Sequence, residues 1–216
     1  MKTEALPYAA DITALHDRLL ALPAWPATQP APEGGEVGLW VQTNHRNNCL
    51  LWAEEDLARR TTVADAAIAA NKRAIDGYNQ ARNDATERVD ELLLVALGLV
   101  DAASARTDSP QSTVPAGARL NSETAGSMID RLSILALKVN AMRQQTARTD
   151  VDEAHRTASR AKLQRLLEQR QDLAACLDAL LADAAAGRAY FKVYRQFKMY
   201  NDPRWNPQLV AERQGR

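Results

Sequence analysis

The chain has 216 residues and a mass of 23.8 kDa, with 46% hydrophobic and 25% charged residues. That is the composition of a globular chain of one domain's length, and it excludes collagen-like, spacer-like and wholly disordered chains. Lys plus Arg and Asp plus Glu each number 27, so the formal net charge is zero. No wholesale electrostatic grip on nucleic acid or on an anionic membrane is expected.

Glu4, Asp11, His16, Asp17 and Arg18 interrupt the N-terminal stretch, leaving no apolar run of the ~7–15 residues a secretory signal needs. The longest apolar run, Leu92–Val100, ends at Glu91 and Asp101, well short of the ~18 residues of a membrane helix. Cys49 and Cys176 are the only cysteines. Their apolar surroundings predict buried free thiols and no disulfide scaffold. These features together predict a cytoplasmic protein.

Proline placement divides the chain. A first helix is expected over 9–21, followed by a loop over 22–36 that holds Pro23, Pro26, Pro30, Pro32, Gly34 and Gly35. No proline occurs between 33 and 109 or between 116 and 202, and proline costs a helix interior about 3 kcal/mol. Helices are therefore expected over 38–60 and 63–104, with Thr62 as a cap between them. In the second of these, Ile68, Ile75, Val89, Leu92, Leu93, Ala96 and Val100 recur at spacings of three, four and seven. A loop over 105–120 follows. A helix capped by Asn121 or Ser122 is expected to run to 147, with Glu123 in its first turn. Thr149 or Asp150 is expected to cap the next helix, over 151–186, which ends at Gly187. A short helix over 189–199 and an irregular tail over 200–216 complete the chain. The expectation is a single all-α domain over 1–216: an antiparallel bundle of four long helices with an N-terminal helix and a short C-terminal one.

Several polar residues fall at helical spacing. His45, Asn48, Trp52, Asp56 and Arg59 share one face, and Asp76, Asn79, Asn83, Glu87 and Asp90 share another. Glu123, Ser127, Asp130 or Arg131, and Lys138 form a third set, while Arg165, Glu168, Gln169 and Asp172 cluster within two turns. Solvated faces with ion pairs would account for one such stripe. Asn79 and Asn83 are poor helix formers that add no surface charge, so their stripe reads as a hydrogen-bonding surface for a ligand or a neighbouring helix. A hairpin about residue 149 sets Arg131 level with Glu168 and Ser127 with Asp172, and the same arithmetic places Glu87 near Lys138.

The segments NHRNNCLLWAEEDLAR (44–59), IDGYNQARNDATERVDE (75–91), NSETAGSMIDRLSILALKV (121–139), LLEQRQDLAACLDALLAD (166–183) and KVYRQFKMYNDPRWNP (192–207) resemble the bacterial family catalogued as domain of unknown function 4254. The resemblance spans 44–207. It implies a compact helical cytoplasmic protein and carries no activity with it.

Three functional readings follow, and the sequence leaves open whether the protein is an enzyme. The first is a binding or accessory module for an anionic small molecule, such as a nucleotide-sugar or phosphosugar, or for a partner enzyme. Residues 188–216 hold seven basic and two acidic residues. Lys192, Arg195 and Lys198 would lie near the start of the 121–147 helix, where backbone N–H groups favour phosphate. The ligand-binding set is then His45, Asn48, Asp56, Asn79, Asn83, Glu87, Glu123, Ser127, Asp130, Arg131, Glu168, Lys192, Arg195 and Lys198, with no cofactor. Tyr194, Phe197 and Tyr200 would stack on a base or sugar, and Glu123 could instead pair with Arg195. The second reading is a Mg²⁺-dependent all-α nucleotide pyrophosphohydrolase. The ExxD of Glu87 and Asp90 would work with Glu55 and Asp56, although the expected ExxE partner is missing. The third is a structural helical homodimer. Zinc motifs, Glu-x-x-His pairs, a nucleophile elbow and a P-loop are all absent from the sequence.

Overall fold

A computed structural model describes residues 6–214. It is all-α: among the described residues there are six helices and one pair of two-residue strands. The helices are α1 (Ala9–Leu20), α2 (Gly35–Ala58), α3 (Asp65–Ala96), α4 (Ala125–Ala147), α5 (Glu153–Ala185) and α6 (Pro207–Gln214). The strands β1 (Arg119–Leu120) and β2 (Ala189–Tyr190) pair in parallel.

Helices α2 and α3 lie side by side and antiparallel. Glu36 near the start of α2 meets Arg88 near the end of α3, and Glu54 near the end of α2 meets Asn71 near the start of α3. Helix α5 returns along α4, with Gln145 touching His155 across the turn. Helix α4 is the most enclosed, packing against α1, α2, α3 and α5. Its Met128, Ile129, Leu132 and Leu135 join Val89, Leu93, Leu94, Leu177 and Phe191 in the apolar core. Tyr8 gives α1 no side-chain cap. Instead the Asp178 carboxylate of α5 accepts the Ala9 N–H at 2.8 Å, satisfying an orphan donor at the positive end of the helix dipole. Arg170 ties α5 to the other end of α1 through Asp17 (3.0 Å) and the Thr13 carbonyl (2.8 Å).

Several helix ends differ from expectation. Helix α3 stops at Ala96 rather than 104, because Gly98 adopts a left-handed φ of 69° and turns the chain. Ala64, not Thr62, precedes α3. Helix α4 starts at Ala125, where the Thr124 hydroxyl accepts the Ser127 N–H, so Asn121 and Ser122 are not the cap and Glu123 lies outside the first turn. Asp152 caps α5 in place of Thr149 or Asp150, accepting the His155 N–H at 2.7 Å. The helix expected over 189–199 does not form. Residues 189–190 pair with β1, and the chain beyond has no regular secondary structure as far as a 3-10 turn at Met199–Asn201. The expected irregular tail contains α6, and its last two residues lie outside those described. Cys49 is buried as expected, but Cys176 is exposed.

Candidate functional site

The polar face of α2 points inward. Asn44, His45 and Asn48 are buried against α3 and α4, where unpartnered polar groups would cost roughly 1–3 kcal/mol each. They are partnered. Asp130 of α4 accepts the side-chain amides of Asn44 and Asn48 on one carboxylate oxygen, both at 2.9 Å. Asn44 also reaches the Thr86 hydroxyl at 3.1 Å. Asn48 donates to Ser133 Oγ at 3.0 Å, and that oxygen lies 2.8 Å from His45 Nδ1. An amide N–H can only donate, so the Ser133 hydroxyl accepts from Asn48, and its contact with His45 Nδ1 is a second hydrogen bond whose direction follows the imidazole tautomer. On the other side of the ring, His45 Nε2 faces Cys49 Sγ at 3.8 Å. The His45 ring stacks between His16 (centroids 4.4 Å) and Trp25 (5.7 Å). The Trp25 indole N–H is satisfied by Cys49 Sγ at 3.2 Å. Burial holds His45 neutral, its pKa lowered to about 3, and depresses that of His16 as well.

The network ends at Arg82 of α3. Its Nε is enclosed without a hydrogen-bond partner and stands 3.8 Å from Asp130 Oδ1. The guanidinium makes one long hydrogen bond, 3.5 Å to Asn83 Oδ1. Two hollows share Arg82 as a wall. One, of about 330 Å³, is formed with Asn48, Trp52, Glu55, Asp56 and Arg59 of α2 and with Ile134 and Leu137 of α4. The other, of about 300 Å³, is formed with Asp76, Asn79 and Asn83 of α3 and with Gln196, Lys198, Tyr200 and Asn201. An arginine has five N–H donors, and most of these are unused.

Arg195 is the opposite case. It donates to Glu87 (3.0 Å), Glu91 (2.6 Å) and the carbonyls of Ala105 and Thr107 (both 2.9 Å). The Gln196 N–H adds a bond to Glu87 at 3.0 Å. Arg195 is therefore a saturated latch holding the C-terminal segment to α3, with no donor left for phosphate.

The structure places the sequence-derived candidates as follows. Asn48 and Asp56 line the first hollow, Asn79, Asn83 and Lys198 the second, and His45 and Asp130 form the support behind them. Glu87 faces Arg195 and not Lys138, which is exposed on α4. Glu123 pairs with Arg131, and not with Arg195; Ser127 bonds Thr124. Glu168 is exposed on α5, as are Arg165, Gln169 and Asp172, so that cluster faces outward. Lys192 lies over the Tyr190 ring at 5.9 Å. Tyr194, Phe197 and Tyr200 are largely exposed. Arg82 was not among the candidates, yet it could be read: it falls midway between Ile75 and Val89, a charged residue on the core stripe of α3.

The four carboxylates of the metal alternative are not brought together. Glu55 pairs with Arg59 at 3.0 Å, and both Glu55 and Asp56 lie at the Asn71 end of the α2–α3 pair. Glu87 and Asp90 lie at the Glu36 end, about 25–30 Å away along the helix at ~1.5 Å per residue. Among the described residues no three His, Cys, Asp or Glu side chains are grouped to hold a metal ion. Asp90 is buried and accepts the Gly126 N–H at 2.6 Å.

Burial raises the Asp90 pKa to about 7, with Glu87 and Glu91 adding to the rise. The native state therefore holds a proton that the unfolded chain releases near pH 4, and this group stabilises the fold as pH falls from about 7 towards 4. His16 and His45 act in the opposite direction, losing stability below about pH 6.5 because only the unfolded chain protonates them. The Asp90→Asn variant is expected to be more stable than wild type at pH 8. The gap should shrink by up to about 1.4 kcal/mol per pH unit below 7. Urea unfolding of both proteins from pH 5 to 8 checks this, and a constant gap would contradict it.

No curated protein and no solved structure matches the chain. No helix among the described residues is long and apolar enough to cross a membrane. The sequence profile of the family described as protein of unknown function (DUF4254) matches residues 39–193, and covers α3, α4, α5 and all but the first turn of α2. The chain belongs to that family.

Proposed function

We propose that the protein is a binding module for an anionic small molecule, and that Arg82 anchors the anion. The observation that supports this reading is the guanidinium of Arg82: it walls two hollows and has only one long hydrogen bond of its own. Guanidinium is the side chain best suited to two-point hydrogen bonding of a phosphate. Asp130, itself fixed by Asn44 and Asn48, restrains Arg82 from behind, so little side-chain entropy would be lost on binding. Together the hollows are of a size usual for small-ligand sites. Trp52 offers a face for a sugar ring. Asp56 and Asn79 can bond its hydroxyls, and Arg59 and Lys198 add positive charge on either side. A phosphosugar or nucleotide-sugar has this combination of groups. The pyrophosphohydrolase reading gains no support, because its carboxylates stand at opposite ends of the α2–α3 pair.

A thermal-shift panel of sugar phosphates and nucleotide-sugars, run with and without Mg²⁺, tests the reading. At least one compound is expected to raise the melting temperature without metal. Arg82→Gln should weaken that compound's apparent affinity at least tenfold, about 1.4 kcal/mol. An unchanged shift in Arg82→Gln would remove the residue from the site.

A further inference from the structure

We propose that the anionic group of the ligand is a phosphoryl group held between Arg82 and Lys198, in the hollow that separates α3 from the C-terminal segment, and that it straps this segment to α3. This rests on the anion-binding reading above; it adds which hollow takes the charge and which part of the chain closes on it.

The two hollows differ in charge. Besides Arg82, the first is lined by the carboxylates of Glu55 and Asp56 and by one cation, Arg59, which Glu55 already holds at 3.0 Å. Among the described residues Asp56 has no cation of its own, so an anion there would meet an uncompensated carboxylate. The second hollow has a single carboxylate, Asp76, and Lys72 holds it at 2.9 Å. Lys198 faces the same space, and among the described residues its ammonium has no ion pair or hydrogen bond. The Asn79 amide is unengaged as well. A guanidinium fork on one wall and a point charge on the other suit a phosphoryl group. The first hollow, with Trp52 and Asp56, is left for the uncharged part of the ligand.

Lys198 stands just past the last tie between the segment and α3. Gln196 makes that tie, through its N–H to Glu87 and through its side-chain carbonyl, which accepts from Asn83 at 2.9 Å. Beyond Gln196 every hydrogen bond and ion pair among the described residues is local. The Asn201 N–H reaches the Lys198 carbonyl at 2.9 Å, the Asn206 amide reaches the Tyr200 carbonyl at 2.7 Å, and Arg204 pairs with Asp202. Lys198, Tyr200 and Asn201 thus meet α3 across a hollow, with no bond of their own to it. A stretch held in this way opens at low free energy. An anion gripped by both Arg82 and Lys198 supplies the missing tie. Linkage makes the effect reciprocal: the factor by which Lys198 tightens binding is the factor by which the bound anion suppresses opening of the segment.

Inorganic pyrophosphate, added to the full chain without Mg²⁺, is the probe. Calorimetry reads its binding, and amide exchange followed by mass spectrometry reads the opening of residues 197–206. Wild type should bind pyrophosphate, and Arg82→Gln and Lys198→Ala should each weaken binding by about tenfold. Arg213→Ala removes the same charge from α6, outside the hollow, and should leave binding within about twofold. Saturating pyrophosphate should slow exchange over 197–206 by about tenfold in wild type and leave it unchanged in Lys198→Ala. Lys198 has no partner to lose, so its variant should melt with wild type. Weakened binding in Arg82→Gln beside unchanged binding in Lys198→Ala would overturn the strap and leave the anion-binding reading standing. So would an equal loss in Arg213→Ala, full binding without slowed exchange, or no binding of pyrophosphate. Binding unchanged in Arg82→Gln would overturn the anion-binding reading as well.

Discussion

Gly126→Ala is expected to destabilise the protein by about 3 kcal/mol or more, or to prevent folding. A Cβ at this position would stand 2.5 Å from the Thr86 carbonyl oxygen and 2.9 Å from the Asp90 carboxylate. Overpacking a dense core costs roughly 1–3 kcal/mol when flexible side chains can yield. Here the nearest atom is backbone inside α3, so the α3–α4 contact must open. Opening it would stretch the 2.6 Å bond from the Gly126 N–H to Asp90 and loosen the register that brings Asp130 to Asn44 and Asn48. Gly77→Ala is the control with the opposite sign. Gly77 is exposed within α3 and has nothing within 4 Å of its would-be Cβ. Alanine there should stabilise the helix by about 0.5–1 kcal/mol. Urea midpoints for the two variants should move in opposite directions, and equal shifts would contradict the close approach of α3 to α4.

Arg195→Met is expected to cost about 3 kcal/mol and to release the C-terminal segment. The side chains of Arg195, Glu87 and Glu91 are only 15%, 19% and 6% exposed. Removing the cation leaves enclosed carboxylates with less compensation, which is the expensive way to break an ion pair. Arg88 still reaches Glu91 at 2.7 Å and tempers the loss. The carbonyls of Ala105 and Thr107 lose their donor too. Limited proteolysis should cleave the variant first in the segment after Phe191, with the part of the chain before that segment persisting as a folded product. Cleavage spread evenly along the chain would contradict the role of Arg195 as a latch.

Helices α1 to α5 were legible because proline is absent from them and their apolar residues recur at helical spacing; α6, which opens on Pro207, was not. Their ends were less so, since the sequence offered several capping residues and the backbone used Thr124 and Asp152. The segment over 189–199 misled for a different reason. Nothing local distinguishes KVYRQFK from a short helix; its non-helical path depends on strand pairing at residue 119 and on carboxylates about a hundred residues away. Periodicity identified which polar residues share a side but not which side faces inward. The α2 stripe is interior because Asp130 and Ser133 of α4 supply its partners, whereas the α5 cluster has none across from it and stays in water. Arg195 and Arg82 differ in the same way: Arg195, in a basic stretch, is used up by Glu87 and Glu91, while Arg82, a charged residue on the apolar stripe of α3, makes one long hydrogen bond beside two hollows.

The account rests on an interior polar network that holds Asp130, and through it Arg82, in place. A double-mutant cycle of Asn48→Ala and Asp130→Ala, followed by urea unfolding, measures the Asn48–Asp130 bond at its centre. The expected coupling is about 1–3 kcal/mol, with the double variant less unstable than the sum of the two singles. Additive single effects, or singles within about 0.5 kcal/mol of wild type as at exposed sites, would show that these side chains lie in solvent and hold nothing.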